Sequence, residues 1–181
     1  MLQEFISLLT GVFTNQKQFE EISQQGLELP FAKHVNTVCN DKIKNLPDNF
    51  QGVFMIEESY YTQKGHTNVS PHLFLFTQEQ DTIVLTSYEI PQGYTKQNFT
   101  YETVDAMDYK ELKKSEKFTP AIYHYKEGVW EGGSVSMFTP VLKFTLFERF
   151  SKEQLEVSET IEVNGKRTFG FDVPIIYKRI L

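Results

Sequence analysis

At 181 residues the chain is long enough to bury one sizeable core and short for two, so a single domain over 1–181 is expected. A formal net charge of -6, with Arg149, Arg167 and Arg179 as the only arginines, excludes the clustered basic surface that nucleic acid demands, and no apolar run approaches the length of a membrane span. Cys39 stands alone, which excludes an internal disulfide and a thiolate metal centre. The opening "MLQEFISLLTGVF" has neither the basic start nor the small-residue cleavage pattern of a secretory signal, and a cytoplasmic protein is expected.

Leu2, Phe5, Ile6, Leu9 and Phe13 recur at helical spacing and predict an amphipathic first helix that ends near Gly11. A second helix is expected from Asn15 as cap, with Gln18 completing a box-like pair, to Gly26. The helices thus occupy 1–26. From 30 to 181 the pattern changes to short runs rich in Val, Ile, Thr, Phe and Tyr, near 32–40, 50–62, 70–78, 81–90, 97–104, 118–127, 129–138, 141–150, 153–163 and 167–179. Turn chemistry separates several of them: "QKGHTN", "KEG" and "VNGK", the last with the sharpest hairpin signal, Asn164-Gly165. A helical interruption is expected at Met107 to Lys114, and Gly132-Gly133 reads as a tight turn or bulge. Many short strands with almost no helix between them predict an antiparallel sandwich or a closed barrel.

The stretch "FQGVFMIEESYY" (50–61) places two carboxylates in an oily run. Strand alternation sends them to opposite faces, Glu57 with Val53, Met55, Ser59 and Tyr61, and Glu58 with Phe54, Ile56 and Tyr60. His34, His66, His72 and His124 are scattered without metal-ligand spacing, and neither a nucleophile elbow nor a phosphate loop is present. What remains is a set of rings with polar tips on separate strands: Tyr60, Tyr88, Tyr123, Tyr125, Trp130 and Tyr177. They suit the wall of a pocket and equally the filling of a core.

"GVFTNQKQF" resembles the G-x-F-S/T-N-x-x-Q opening of the CpcT/CpeT-type phycobiliprotein chromophore lyases through Gly11, Phe13, Asn15 and Gln18. "FMIEESYY" resembles their Y-x-E-Q-x-Y strand through Glu57 and Tyr60, with Glu58 in place of Gln. "FGFDVPIIYKR" looks like a divergent form of their closing strand. The resemblance implies a calycin- or lipocalin-like antiparallel β-barrel with N-terminal helices packed against it, and an open-chain tetrapyrrole (bilin) as ligand or substrate. It also implies a phycobiliprotein subunit as acceptor, no required cofactor, and Glu57 and Tyr60 as the groups that move protons. Pro71-His72-Leu73 stands where the family has P-Y-R, so the Arg expected to pair a bilin propionate is missing; the family's Gly-Cys also has no counterpart. His72 then joins Tyr88, Tyr123, Tyr125, Trp130 and Tyr177 as the expected ligand lining. Two readings result: a bilin-binding barrel with lyase or chaperone activity, and a non-enzymatic carrier of another hydrophobic small molecule such as a fatty acid or porphyrin. Whether the barrel pairs into a homodimer stays open. In either reading Glu57 is expected to address the cavity and Glu58 the solvent or the flanking helices.

Overall fold

The protein, described over residues 1–180 by a computed structural model, is a closed antiparallel β-barrel of the calycin-like kind with two short N-terminal helices. Helix α1 (Leu2–Leu9) is followed by β1 (Gly11–Thr14), α2 (Gln16–Gln24) and β2 (Phe31–Val38). The barrel continues through β4 (Val53–Gln63), β5 (His66–Glu79), β6 (Thr82–Tyr88), β8 (Ala121–Lys126), β9 (Val129–Thr139), β10 (Leu142–Phe150), β11 (Leu155–Val163) and β13 (Ile175–Arg179). Three short strands lie off the wall: β3 (Ile43–Lys44) pairs with β7 (Met107–Asp108) in parallel, and β12 (Lys166–Phe169) hairpins onto β11. The ring closes because β10 pairs with β11 along its whole length while β1 bridges β2 and β13. Full closure leaves the barrel no unpaired edge.

The turns follow the local chemistry. Lys64-Gly65 and Asn164-Gly165 both carry positive φ at each residue, the geometry of the two-residue turn that matches strand twist. Gly132 and Gly133, by contrast, make no turn. They sit mid-strand in β9, where a Cβ would fall on the carbonyl of Ile122 on one side or Leu146 on the other. Glycine is required here by close backbone approach.

Residues 11–14, expected only as the break between helices, form a wall strand, because Gly11 to Thr14 find β2 and β13 on either side. Asn15 does begin α2, but its side chain caps nothing. Its amide instead donates to Pro30 O (2.9 Å) and its oxygen accepts from Ala32 N–H (2.7 Å). Gln18 likewise bonds Pro174 O and Ile176 N–H, so the expected capping pair fastens α2 to the wall.

Two clusters divide the core. The inner one gathers α1 and the inward faces of the strands, with Phe5 packed edge-on against Tyr123, Trp130 and Phe150. The outer one lies against the outside of β4 to β6, where Phe54, Ile56, Leu73, Leu75 and Tyr88 are covered by Phe99, Val104 and Met107. This explains why "VFMI" is apolar on both faces: one faces the barrel, the other a flap made by residues 89–118. The flap contains neither the strand expected at 97–104 nor the helix expected at Met107 to Lys114. β6 pairs with β8 over Thr82 to Leu85, and beyond that the flap joins the wall through the Tyr88–Lys114 bridge and the Ser115 N–H donated to Ser87 O (2.9 Å). The helical pattern is too short to hold itself, and the Asp108 carboxylate takes the Lys110 N–H (2.9 Å), which favours a turn.

Glu58 is buried under this flap rather than facing solvent or a helix; it accepts from Tyr60 Oη (2.6 Å) and from Tyr101 N–H (3.2 Å). Glu58→Ala is expected to cost about 1–3 kcal/mol, the range for leaving buried hydrogen-bonding partners unpaired, and to speed amide exchange over 98–104 while leaving strands β9 to β11 protected. Unchanged exchange in the flap would contradict this anchoring role.

Candidate functional site: an acidic pocket inside the barrel

Alternation along β4 turns Val53, Met55, Glu57, Ser59 and Tyr61 inward. Glu57 lies opposite Asn36 of β2 and His72 of β5 in register, so three polar side chains meet at one level of the wall. Glu148 of β10 and Glu159 of β11 reach the same space from the opposite side. Below them, Leu9, Met55, Phe76, Leu85, Leu155 and Val157 form an apolar floor that α1 plugs. At the other end stand Phe118, Phe138 and Phe144, in mutual ring contact. Along β10 the cavity is lined from Phe144 through Leu146 to Glu148, roughly 13 Å at the strand rise. It is small, about 60 Å³.

Hydrogen bonds knit the polar wall. Ser59 Oγ donates to Glu57 (3.0 Å), Tyr61 Oη to Glu159 (3.4 Å), and Tyr123 Oη to Glu148. His34 Nε2 lies 2.9 Å from Tyr177 Oη, and Ser70 Oγ 3.2 Å from His72 Nε2. Two buried atoms on the cavity wall have no partner. They are His34 Nδ1 and Asn36 Oδ1, on side chains each only 3% exposed. Leaving a buried polar group unpaired costs on the order of 1–3 kcal/mol, so both atoms favour an occupant that completes them.

The charges are shifted by burial and by one another. Desolvation holds the imidazole of His34 down to about 3 and lowers His72, leaving both neutral at pH 7. Burial first, and then the nearby Glu57, push Glu148 up to about 8 and Glu159 to about 7; burial also raises Glu57, against the opposing pull of His72 and Ser59. No Lys or Arg lines the cavity. Glu148 and Glu159 therefore exchange protons near neutrality, with Glu57 raised in the same direction.

These shifts give stability a particular pH profile. A carboxyl whose folded pKa is raised stabilises the fold below 4.5 and loses that contribution as pH climbs through 7 to 8; a lowered imidazole does the reverse, weakening the fold as pH falls below 6.5. Between pH 6.5 and 8.5 only the first effect operates. Urea unfolding should thus show stability falling over that interval, and Glu148→Gln should flatten the fall. A rise across the same range would contradict the buried, proton-sharing carboxyls.

The residues expected from the sequence part company here. Glu57 and His72 line the cavity; Tyr123 and Tyr177 point inward, bonding Glu148 and His34. Trp130 is inside but belongs to the core around Phe5, and Tyr125, half exposed, leans on it at the barrel end. Tyr60 and Tyr88 are on the outer face, Tyr60 bonded to Glu58 and Tyr88 packed on Phe54. Positions 57 and 60 differ in parity, so Glu57 and Tyr60 do not face one substrate together. Cys39 is buried in the outer cluster, its thiol pushed up to about 12 by burial and Asp41.

His34, Asn36, Glu148 and Glu159 complete the site without having been singled out by sequence. Their signal is a polar residue on the apolar face of an alternating strand: Leu146, Glu148, Phe150 in one, Leu155, Val157, Glu159, Ile161 in the other. Among the described residues, no three His, Cys, Asp or Glu side chains converge closely enough to hold a metal ion, and no helix is long and apolar enough to cross a membrane. No protein-family model, no curated protein and no solved structure matches the chain.

Proposed function

We propose that the protein is a non-enzymatic binding barrel for a slender hydrophobic small molecule with one polar end. The apolar body lies along Met55, Leu85, Leu155 and Val157, and the polar end sits beside Glu57 and Asn36. The observation that carries this reading is the pair of unpartnered buried atoms, His34 Nδ1 and Asn36 Oδ1, at the polar end of an otherwise apolar, enclosed cavity. Native mass spectrometry of protein taken directly from cells should show an adduct of one small molecule per chain. Ala121→Phe, which extends a side chain into the cavity, should abolish it while the protein remains folded by circular dichroism. An empty protein that also ignores a panel of single-chain amphiphiles would contradict the reading.

A bilin is the second reading, and one observation favours it: Glu57 inside the cavity offers a carboxylate to the pyrrole N–H groups of a tetrapyrrole. Against it, a four-ring chain needs far more volume than the cavity's 60 Å³, and nothing cationic among the lining residues meets its propionates. If a bilin binds, the cluster of Phe118, Phe138 and Phe144 must open. Phycocyanobilin added to the purified protein would then give a red-shifted, sharpened visible band, and an unchanged spectrum removes this reading.

A further inference from the structure

Resting on the binding-barrel reading above, we infer that the polar end of the cavity is built for a protonated amine. Anionic heads face three carboxyls and no compensating cation on the wall. The charge of Lys96 reaches His72 from outside the lining. A carboxylate or phosphate would therefore add like charge in a poorly solvated space, where Coulomb interactions are strongest. A fatty acid as carried anion fits this wall badly.

The acceptors, in contrast, are in surplus. His34 Nδ1 and Glu57 Oε2 stand 3.9 Å apart, too far to bond each other and close enough for one N–H-bearing nitrogen to bridge. His34 is assigned the tautomer in which Nε2–H donates to Tyr177 Oη (2.9 Å), which makes Nδ1 an acceptor. Asn36, paired with Glu57 in register, is oriented by its own amide, which donates to Leu9 O (2.9 Å), so Oδ1 is the atom left over. An ammonium carries three donors and one positive charge, which matches three acceptors, His34 Nδ1, Glu57 Oε2 and Asn36 Oδ1. A hydroxyl supplies one donor and leaves two of the acceptors bare.

Charge linkage follows. A cation beside Glu57 favours the ionised form of the groups facing it, namely Glu57, Glu148 and Glu159, while the buried His34 and His72 stay neutral and Lys96 opposes the cation weakly from outside. Binding of an amine should thus release protons to the buffer.

The test compares octylamine, octanol and octanoate by isothermal titration at pH 7, in two buffers of different ionisation enthalpy. Octylamine is expected to bind at least tenfold more tightly than either of the others, with net proton release. Glu57→Gln should shrink the amine-to-alcohol ratio below threefold, and Glu159→Gln serves in its place should that variant fail to fold. Octanol binding as tightly as octylamine, or octanoate binding best, overturns the amine assignment and leaves the hydrophobic cavity standing. If none of the three binds, both fall.

Discussion

Gly132→Val should be the most disruptive single change in the wall. A side chain at this position has no free space, because its Cβ would lie on the Ile122 carbonyl and against the Tyr123 backbone. At Gly133 the obstacle is the Leu146 carbonyl on the other flank. In an open sheet one neighbour could swing aside. In a closed ring, β8 and β10 are each held by further strands on their far sides, so the strain spreads round the barrel. Overpacking of this kind costs about 1–3 kcal/mol and sometimes more; with both obstacles being backbone, a loss at the upper end or failure to fold is expected. Urea unfolding reads it directly, and a variant within ~0.5 kcal/mol of the parent, the usual scatter of a surface change, would contradict the close approach of β8, β9 and β10.

Phe5→Ala should come next. The ring is fully buried and sits with its centroid 4.9 to 5.5 Å from those of Phe150, Trp130, Tyr123 and Phe76, so one residue of α1 ties four wall strands together across the barrel floor. Truncating a buried Phe removes about 3–5 kcal/mol. Each edge-on contact adds to that, at roughly 0.5–1.5 kcal/mol. Phe76, one of its ring partners, also lines the cavity, so the variant should admit longer single-chain ligands than the parent. A loss below about 1 kcal/mol, the ordinary size of a surface effect, would mean that α1 is an appendage and the floor is closed by the strands alone.

Much of this architecture was legible because local chemistry and global form agree. The α1 stripe of Leu2, Phe5, Ile6 and Leu9 is buried as its spacing predicts, and the Asn164-Gly165 turn is where its dipeptide puts it. Strand alternation also sent Glu57 and Glu58 to opposite faces; the structure turns Glu57 inward and covers Glu58 with the flap instead of solvent or a helix. The failures have physical causes. Residues 11–14 are four residues long, below the length at which alternation shows, and only β2 and β13, far apart in sequence, make them a strand. The flap over 89–118 meets the wall near Tyr88 and Lys114, away from its buried apolar residues, so Phe99, Val104 and Met107 imitate strand or helix composition while covering Phe54 and Ile56. Tyr60 and Tyr88 were grouped with the inward rings by residue type, although parity with Glu58 sends Tyr60 the other way. Aromatic identity says that a side chain wants cover. It does not say which of two covered faces supplies it.

The site was half visible for a similar reason. Glu57 stood out because its neighbour is also a glutamate, whereas Glu148 and Glu159 lie singly in strands that otherwise alternate normally. Their meaning appears only when closure of the ring brings β4, β10 and β11 to face one another. An inward carboxyl is costly in isolation; three of them with Asn36 and His34 make a polar end that an apolar core would not retain.

The central claim is that a guest enters the barrel axis with its apolar body against the inner face of the strands. Methyl NMR of protein titrated with octylamine or octanol measures this most directly. Resonances of Met55, Leu85, Leu155 and Val157 should shift together and saturate at one equivalent, while the outward methyls of Ile122, Val135 and Met137 stay still. Shifts confined to the outward set, or none in the inner set at saturating ligand, would contradict the account.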